Sequence, residues 1–421
     1  MTEDWEKRSL RILLVNGNYA DGTVGGTQTF TQNLAQWLTD AGHKVAVLCH
    51  ADRGEVEEIS GVKVYRIRPP RFRQGGRLRI VAAANQLLAI HNPLVTPKVR
   101  RAVRDFDPDI CHVQMLRRLT PCALAVIFRL GIPVFWTVHE LYSLWNFNPF
   151  LLEPPDVKES QKSRIVQICK NIHRRLSKKI DRVLAPSEYA LNAYVQDGYF
   201  AGVPTTIMPN TAPHEWGDPH VVATSRRANL GQRDVTRFLF MGRLESHKGV
   251  EVFMTAAEAL ADEKIEIAIA GEGTLTHLIR ERVALSSHVS FHGSVSGQRR
   301  HELFAWADVL VCPSSWTETY ALVVAEAQAS ALPVIVTDVG ALPERVDDGH
   351  SGLVVPSGDH AALAQAMLSM RPSQTREKMI TAAAERALSN TPMNFTDRHI
   401  EAYRDALRVR AARSRQTTVI S

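Results

Sequence analysis

Cysteine is scarce: five in 421 residues, at positions 49, 111, 122, 169 and 312, with no C-x-x-C pair and an odd total. That pattern excludes a disulfide framework and a zinc ribbon, and it predicts reduced core thiols in a cytoplasmic protein. Long apolar runs are missing too; none approaches the ~20 residues needed to cross a bilayer. The opening residues Met1 to Glu6 are acidic and lead at once into a strand-like run, which does not read as a signal peptide. Neither half of the chain has a G-x-G-x-x-G loop. The nearest approach is Gly271-Glu272-Gly273, followed by Thr274 and Thr276 with no ribose-binding acid at the usual spacing. A nicotinamide-dinucleotide dehydrogenase is therefore disfavoured. Nor is there an aromatic and basic module of the kind that binds nucleic acid.

What the chain has is an ordinary globular composition, 45% hydrophobic and 22% charged. Its length suggests two to three domains at roughly 150 residues each. The net charge of +6 is unevenly placed: residues 1–210 hold 28 basic and 19 acidic side chains, residues 211–421 hold 22 and 25. The excess centres on Arg66 to Arg79 and on Lys170 to Lys179. A basic first half points to an anionic partner: a phosphorylated acceptor, a lipid surface or nucleic acid. Two solvated surface stretches would account for it as well.

Hydrophobic periodicity gives a βα alternation twice over. Strands are expected at 11–16, Lys44–Leu48, Val62–Ile67, Asp109–Val113, Pro133–Val138 and Arg182–Ala185. A second series is expected at Phe238–Met241, Ile265–Ala270, Val289–His292, Val309–Cys312, Val334–Val336 and Gly352–Val355. Between the series, residues 204–235 collect Pro204, Pro209, Pro213, Gly217 and Pro219 and read as an interdomain linker. The pattern implies an α/β chain of two doubly wound, parallel-sheet domains, residues 1–205 and 206–385, with ligand at the carboxyl ends of the strands in a cleft between them. Residues 386–421 are expected to hold a helix (396–413) that crosses back to the first domain, followed by a tail.

Several loops in this scheme are suited to a phosphate. Gly25 and Gly26 precede a helix whose free amides carry partial positive charge, although a tight turn would use the same residues. Gly242 to Gly249 joins a strand to a helix and carries Arg243 and Lys248, which can converge on one diphosphate. The richest segment is Pro313 to Ala327. There Glu318 falls in a loop after a strand, the amides of Ala321, Leu322 and Val323 fall in the first turn of a helix, and Glu326 lies two turns in. A carboxylate on each side of an anion site makes sense if both accept hydrogen bonds from sugar hydroxyls.

The run Pro313 to Gly352 resembles the E-x(7)-E region of retaining glycosyltransferases of family 4, which have the GT-B fold of two facing Rossmann-like domains. Other stretches agree in order and spacing: Gly25-Gly26, Thr137-Val138-His139-Glu140, Pro186-Ser187, Pro209-Asn210, Gly242-Arg243-Leu244 with Lys248-Gly249, Gly271-Glu272-Gly273, and Leu332 to Gly340. The similarity runs from about residue 11 to 370. It implies that Glu326 holds the donor ribose, that Glu318 binds hydroxyls of the transferred sugar, and that Arg243, Lys248, the Leu322 and Val323 amides and the Gly26 loop receive the diphosphate. His139 would sit beside the reacting sugar, although a histidine capping a strand end is the plainer reading of that position alone. Two departures stand out. The usual Phe-Gly after the first glutamate is Tyr320-Ala321, and the usual Asn-Gly-Val-Asp is Asn210-Thr211-Ala212-Pro213.

The chemistry implied is transfer of a sugar from a nucleotide-diphosphate donor to a hydroxyl of a glycan or lipid-linked acceptor, with front-face retention. No cofactor and no metal are expected, since Arg243 and Lys248 would offset the leaving-group charge. Asp107-Pro108-Asp109 has Asp-x-Asp spacing but precedes a strand at its amino end and reads as a turn. A nucleotide-sugar 2-epimerase of the same fold is the alternative. Arg71 to Arg79, followed by apolar Ile80 to Ile90, suits a peripheral anionic membrane contact on the cytoplasmic side, or a plain surface loop leading into a core helix. Leu141 to Pro155, with Trp145, Phe147 and Phe150, follows His139 and is a candidate wall of the acceptor pocket.

Overall fold

Strand β1 (Arg11–Val15) is buried along nearly its whole length, because helices cover both faces of its sheet. Leu13 and Val15 point into one layer and Ile12 and Leu14 into the other, as the two-residue period of a strand requires. The computed structural model describes residues 8–20, 26–68, 93–116, 119–141, 164–212 and 216–419. Contacts divide the chain into two units, Met1–Met208 with Phe395–Ser421, and Pro209–Asn394.

In chain order, the first unit contains β1, α1 (Gly26–Asp40), β2 (Lys44–His50), β3 (Glu55–Ile59), β4 (Val62–Ile67), α2 (Thr96–Phe106), β5 (Ile110–Val113) and α3 (Thr120–Arg129). It continues through β6 (Val134–Thr137), α4 (Arg164–Ser177), β7 (Arg182–Ala185), α5 (Glu188–Gln196) and β8 (Thr205–Ile207). The sheet order is β3-β4-β2-β1-β5-β6-β7-β8, parallel except for the β3–β4 pair. Register is fixed by pairs such as Leu13 with Ala46 and Ile12 with Ile110. One layer packs Val99, Val103 and Phe106 of α2 with Ala123 and Ile127 of α3. The other packs Phe30, Leu34 and Leu38 of α1 against Phe395, Tyr403 and Leu407. Those last three residues belong to a long final helix on which the chain returns to this unit. Each fully buried large side chain there is worth about 1.5–3 kcal/mol over leaving it exposed.

The second unit follows with α6 (Pro219–Ala228), β9 (Thr236–Met241), α7 (Val250–Glu258), β10 (Ile265–Ala270), α8 (Thr276–Ala284), β11 (Val289–Phe291) and α9 (Gly297–Trp306). After these come β12 (Val309–Cys312), α10 (Leu322–Ala329), β13 (Val334–Thr337), β14 (Gly352–Val355), α11 (His360–Ser369) and α12 (Ser373–Leu388); the final helix is α13 (Pro392–Val419). Its sheet, β11-β10-β9-β12-β13-β14, is parallel throughout. Phe238 and Phe240 face a layer with Phe253 and Met367, and Leu239 and Met241 face one with Phe304 and Val324.

Every strand expected from periodicity is present to within about a residue or two, while strands β3 and β8 and helix α6 are among the elements that periodicity does not give. Strand β3 has the sequence Glu-Val-Glu-Glu-Ile and is an edge strand, so it shows little apolar alternation; Val56 is exposed and Arg66 of β4 pairs with Glu57. Strand β8 and helix α6 both lie inside the proline-rich stretch 204–235. Pro219 opens α6 at a position where a missing amide proton costs nothing, and Asp218 caps it by accepting from the His220 amide at 2.8 Å. Four cysteines, 49, 111, 122 and 312, are buried free thiols. No helix among the described residues is long and apolar enough to span a membrane.

Candidate active site

In the second unit the strand order changes direction between β9 and β12, and the loops that leave these two strands diverge there. Such a switch point is where open α/β sheets bind ligands. The loop after β9 (242–249) and the loop after β12 (313–321) touch directly: the Ser315 amide donates to the His247 carbonyl at 3.0 Å. Gly249 has φ +71°, and a Cβ there would stand 1.8 Å from the Pro313 carbonyl oxygen, so only glycine permits this approach. A third loop braces the first. The Leu244 amide donates to the Glu272 carbonyl at 3.0 Å, and Thr274 Oγ1 donates to Glu245 Oε2 at 2.6 Å.

Lys248 Nζ donates to Glu318 Oε1 at 2.5 Å, and Ser314 Oγ donates to the same oxygen at 3.0 Å. Both side chains of the ion pair are largely buried, and Glu318 Oε2 has no protein hydrogen bond among the described residues. The backbone of Glu318 is held from the other side. Its carbonyl accepts from the Ala341 amide at 2.8 Å, next to Gly340, which has φ +60°. Arg243 is exposed and makes no hydrogen bond or ion pair among the described residues. His247 is held below its ordinary value by burial first, and then by the charges of Lys248 and Arg243, so the two cations act on one neighbourhood.

Helix α10 begins without a cap. Ala321 precedes it in the left-handed conformation (φ 63°, ψ 82°), and no side chain caps the turn. The Val324 amide bonds to the Ala321 carbonyl at 3.0 Å, whereas the amides of Leu322 and Val323 have no protein partner among the described residues. Bare amides at a helix start form an anion site. Further along α10, Glu326 is buried, and its carboxylate is engaged by Arg300 of α9 through two hydrogen bonds, one of them 3.1 Å from Nε to Oε1.

Asn210 is buried in this unit. Its carbonyl accepts from the Tyr320 hydroxyl and from Asn390 Nδ2 at 2.7 Å, while its own Oδ1 is buried without a hydrogen bond. The Glu272 side chain is exposed. The expected residues thus fall into a core group, Lys248, Glu318 and the amides after Ala321, with Arg243 close by and Glu326 on the adjoining helix. Arg300, Ser314 and Gly340 were missed. Ser314 and Gly340 lie inside recognised segments and could have been found from them; Arg300 stands alone on an unremarked helix and gave no signal.

In the first unit His139 follows β6. Its Nε2 lies 2.7 Å from Gln114 Oε1, an oxygen that only accepts, so Nε2 carries the proton. The ring packs 4.3 Å from that of Phe30. Burial first, and then His399, lower its pKa to about 3, so the imidazole is neutral near pH 7. Gly26 opens α1 and is exposed. Gly25 lies outside the described residues, as do the basic and apolar stretch from Arg71 to Ile90 and residues 142–155 with Trp145, Phe147 and Phe150. Asp107 and Asp109 form a turn: Asp107 ends α2 with φ 50°, and Asp109 Oδ2 accepts from the Arg11 amide at 2.8 Å while Oδ1 pairs with Arg8.

Comparison with known proteins gives a consistent answer. Residues 24–216 match the family model described as Glycosyltransferase Family 4, and residues 235–371 the model described as Glycosyl transferases group 1. A phosphatidyl-myo-inositol mannosyltransferase of Mycobacterium leprae is 25% identical over 380 residues, covering 87% of this chain and 89% of that protein. The sulfoquinovosyl transferase SQD2 of Arabidopsis thaliana is 24% identical over 370 residues, covering 86% and 67%. Among solved structures, Anabaena HepE in complex with UDP and glucose superposes with a TM-score of 0.66 at 19% identity, covering 93% of this chain and 99% of that one. The fold is accordingly GT-B, with two Rossmann-like units. The two family models follow one another over most of the sequence, and the chain belongs to glycosyltransferase family 4.

Proposed function

We propose that this glycosyltransferase transfers a hexose, with retention of configuration and without a metal, from a nucleoside-diphosphate sugar to a hydroxyl of a glycan or lipid-linked acceptor in polysaccharide or glycolipid synthesis. The observation that carries the reading is the Lys248–Glu318 pair set next to the uncapped start of α10. Cleaving a sugar–diphosphate bond leaves negative charge on the departing phosphate, and fixed cations and amides aimed at that charge are the main source of acceleration. Arg243, Lys248 and the Leu322 and Val323 amides supply them. The open Oε2 of Glu318 accepts from a hydroxyl of the sugar, and Glu326 accepts from the donor ribose. No side chain is assigned as a nucleophile; the departing phosphate takes the acceptor's proton.

Acceptor binding is assigned to the first unit, with neutral His139 as a hydrogen-bonding group toward the sugar. The basic first half suits an anionic, lipid-linked acceptor, and a relative named as a phosphatidyl-myo-inositol mannosyltransferase supports that class. HepE is described with UDP-glucose, which favours a nucleotide-linked hexose here.

A thermal-shift screen of UDP-, GDP- and ADP-sugars identifies the donor by mass action. Proton NMR of the product then reads the anomeric configuration, and inversion would overturn the proposal. Donor turnover without acceptor would favour the epimerase reading. Peripheral membrane contact is tested by flotation with anionic liposomes; a protein that stays wholly in solution removes that part.

A further inference from the structure

Arg300 of α9 carries a chemistry that no motif of the family accounts for. Its guanidinium forks onto both oxygens of Glu326, Nε to Oε1 at 3.1 Å and Nη2 to Oε2. The same group lies 5.7 Å over the ring of Phe304, one turn further along α9 and fully buried. Glu326 is 8% exposed, so its charge would be costly without a partner. The planar, two-pronged pair does more than neutralise that charge. A carboxylate offers about four acceptor directions, two on each oxygen. Arginine occupies the two parallel directions, one per oxygen, and fixes the plane of the group, which leaves one outward, diverging acceptor direction on each oxygen. Each of these directions takes a single hydroxyl.

We propose that Arg300 is a positioning residue that orients the Glu326 carboxylate to accept from the 2′-hydroxyl of the donor ribose, and so sets preference for a ribonucleotide over its 2′-deoxy form. The inference rests on the assignment of Glu326 to the ribose. Lysine cannot substitute fully, because a point charge leaves the carboxylate free to turn.

The test measures affinity by calorimetry for UDP, GDP and ADP and for their 2′-deoxy counterparts, in wild type, Arg300→Met, Arg300→Lys and Glu326→Ala. In wild type the favoured ribonucleotide should bind about ten- to a hundredfold more tightly than the deoxy form, the range for a hydrogen bond to a charged group. Arg300→Met should lose most of that ratio by weakening the ribonucleotide alone, and Arg300→Lys should recover part of it. In donor kinetics Arg300→Met should raise KM far more than it lowers kcat. Equal weakening of both nucleotides would show a merely structural role and overturn the proposal. If Glu326→Ala abolishes the ratio and both Arg300 variants keep it, Arg300 alone is misassigned. If Glu326→Ala leaves the ratio intact, the ribose assignment fails, and this inference with it.

Discussion

Lys248 and Ser314 donate to the same oxygen of Glu318, leaving its other oxygen open. In the proposed reading one residue thereby couples the cation assigned to the diphosphate to the carboxylate assigned to the sugar. Glu318→Gln keeps the shape but removes the charge that holds Lys248. Loss of one charge-assisted hydrogen bond is worth about 1.5–3 kcal/mol, so kcat should fall roughly ten- to a hundredfold. Glu326→Ala should act mostly on donor KM. Steady-state kinetics with the identified donor check both, and indifference in both variants would sink the assignment.

Ala321 occupies a left-handed conformation that suits glycine, with φ 63°. An alanine there costs about 1–2 kcal/mol, and the extra freedom of glycine in the unfolded chain returns about 0.4–1 kcal/mol. Ala321→Gly should therefore stabilise the second unit by up to about 1.6 kcal/mol, seen as a rise of a few degrees in its melting transition. A calorimetric scan that shows a lower transition would refute the strain.

Gly340 makes the opposite prediction. A Cβ at this position would lie 2.4 Å from the Glu318 carbonyl oxygen and 2.6 Å from its nitrogen, both backbone atoms that cannot step aside alone. Gly340→Ala should displace the Glu318 loop, and a displacement near 1 Å costs on the order of a hundredfold in rate. Donor affinity measured beside kcat shows whether the loss lies in turnover, as expected.

The parts of this molecule legible in the sequence are those with a strong local signature. Buried parallel strands such as β1 and β9 read as continuous apolar runs. The residues from Gly242 to Gly249 and from Pro313 to Glu326 are fixed by backbone needs (close approach at Gly249, bare amides after Ala321) that leave recognisable residue types. What could not be read depends on tertiary partners. Strand β3 exists because Val62–Ile67 offers an edge to pair with, and its own charged sequence gives no periodicity. The Arg300–Glu326 pair joins residues 26 apart on two helices, and nothing local distinguishes Arg300 from a solvated arginine.

Three of the buried histidines of the first unit, His112, His139 and His399, are held as neutral rings. His112 bridges Tyr403 and Thr137 at 2.6 and 2.7 Å, and His139 and His399 lie within the same buried polar group. Burial above all, followed by their mutual repulsion, pushes His112 well below 6.5 and His139 to about 3; burial, with Arg398 a minor contributor, pushes His399 to about 4. An unfolded chain takes up these protons near pH 6.5, the folded one only far below. The unfolded state thus binds more protons in between, so stability is complete above pH 6.5 and declines as pH falls toward 4. The decline should be on the order of 2 kcal/mol per ring by pH 5. Urea unfolding at pH 7.5, 6 and 5 measures it, and His399→Gln should flatten the slope. Equal stability at all three values would show that the rings are not held neutral.

Metal dependence provides the last test, and it turns on where the acidic pairs are spent. Asp109 gives one oxygen to the Arg11 amide and the other to Arg8, and Asp107 ends a helix, so this Asp-x-Asp is consumed by a turn. Around the switch point of the second unit, Glu318 and Glu326 already face Lys248 and Arg300. Binding a divalent ion there would require breaking at least one of those pairs, at a cost of a few kcal/mol for a buried one. The charge a metal would supply is present as Arg243, Lys248 and the Leu322 and Val323 amides. Transfer rates should therefore be unchanged within twofold in excess chelator, and Lys248→Met should lower kcat by about a hundredfold with no rescue by magnesium or manganese. Activity that vanishes in chelator and returns with manganese would assign the leaving-group charge to a metal.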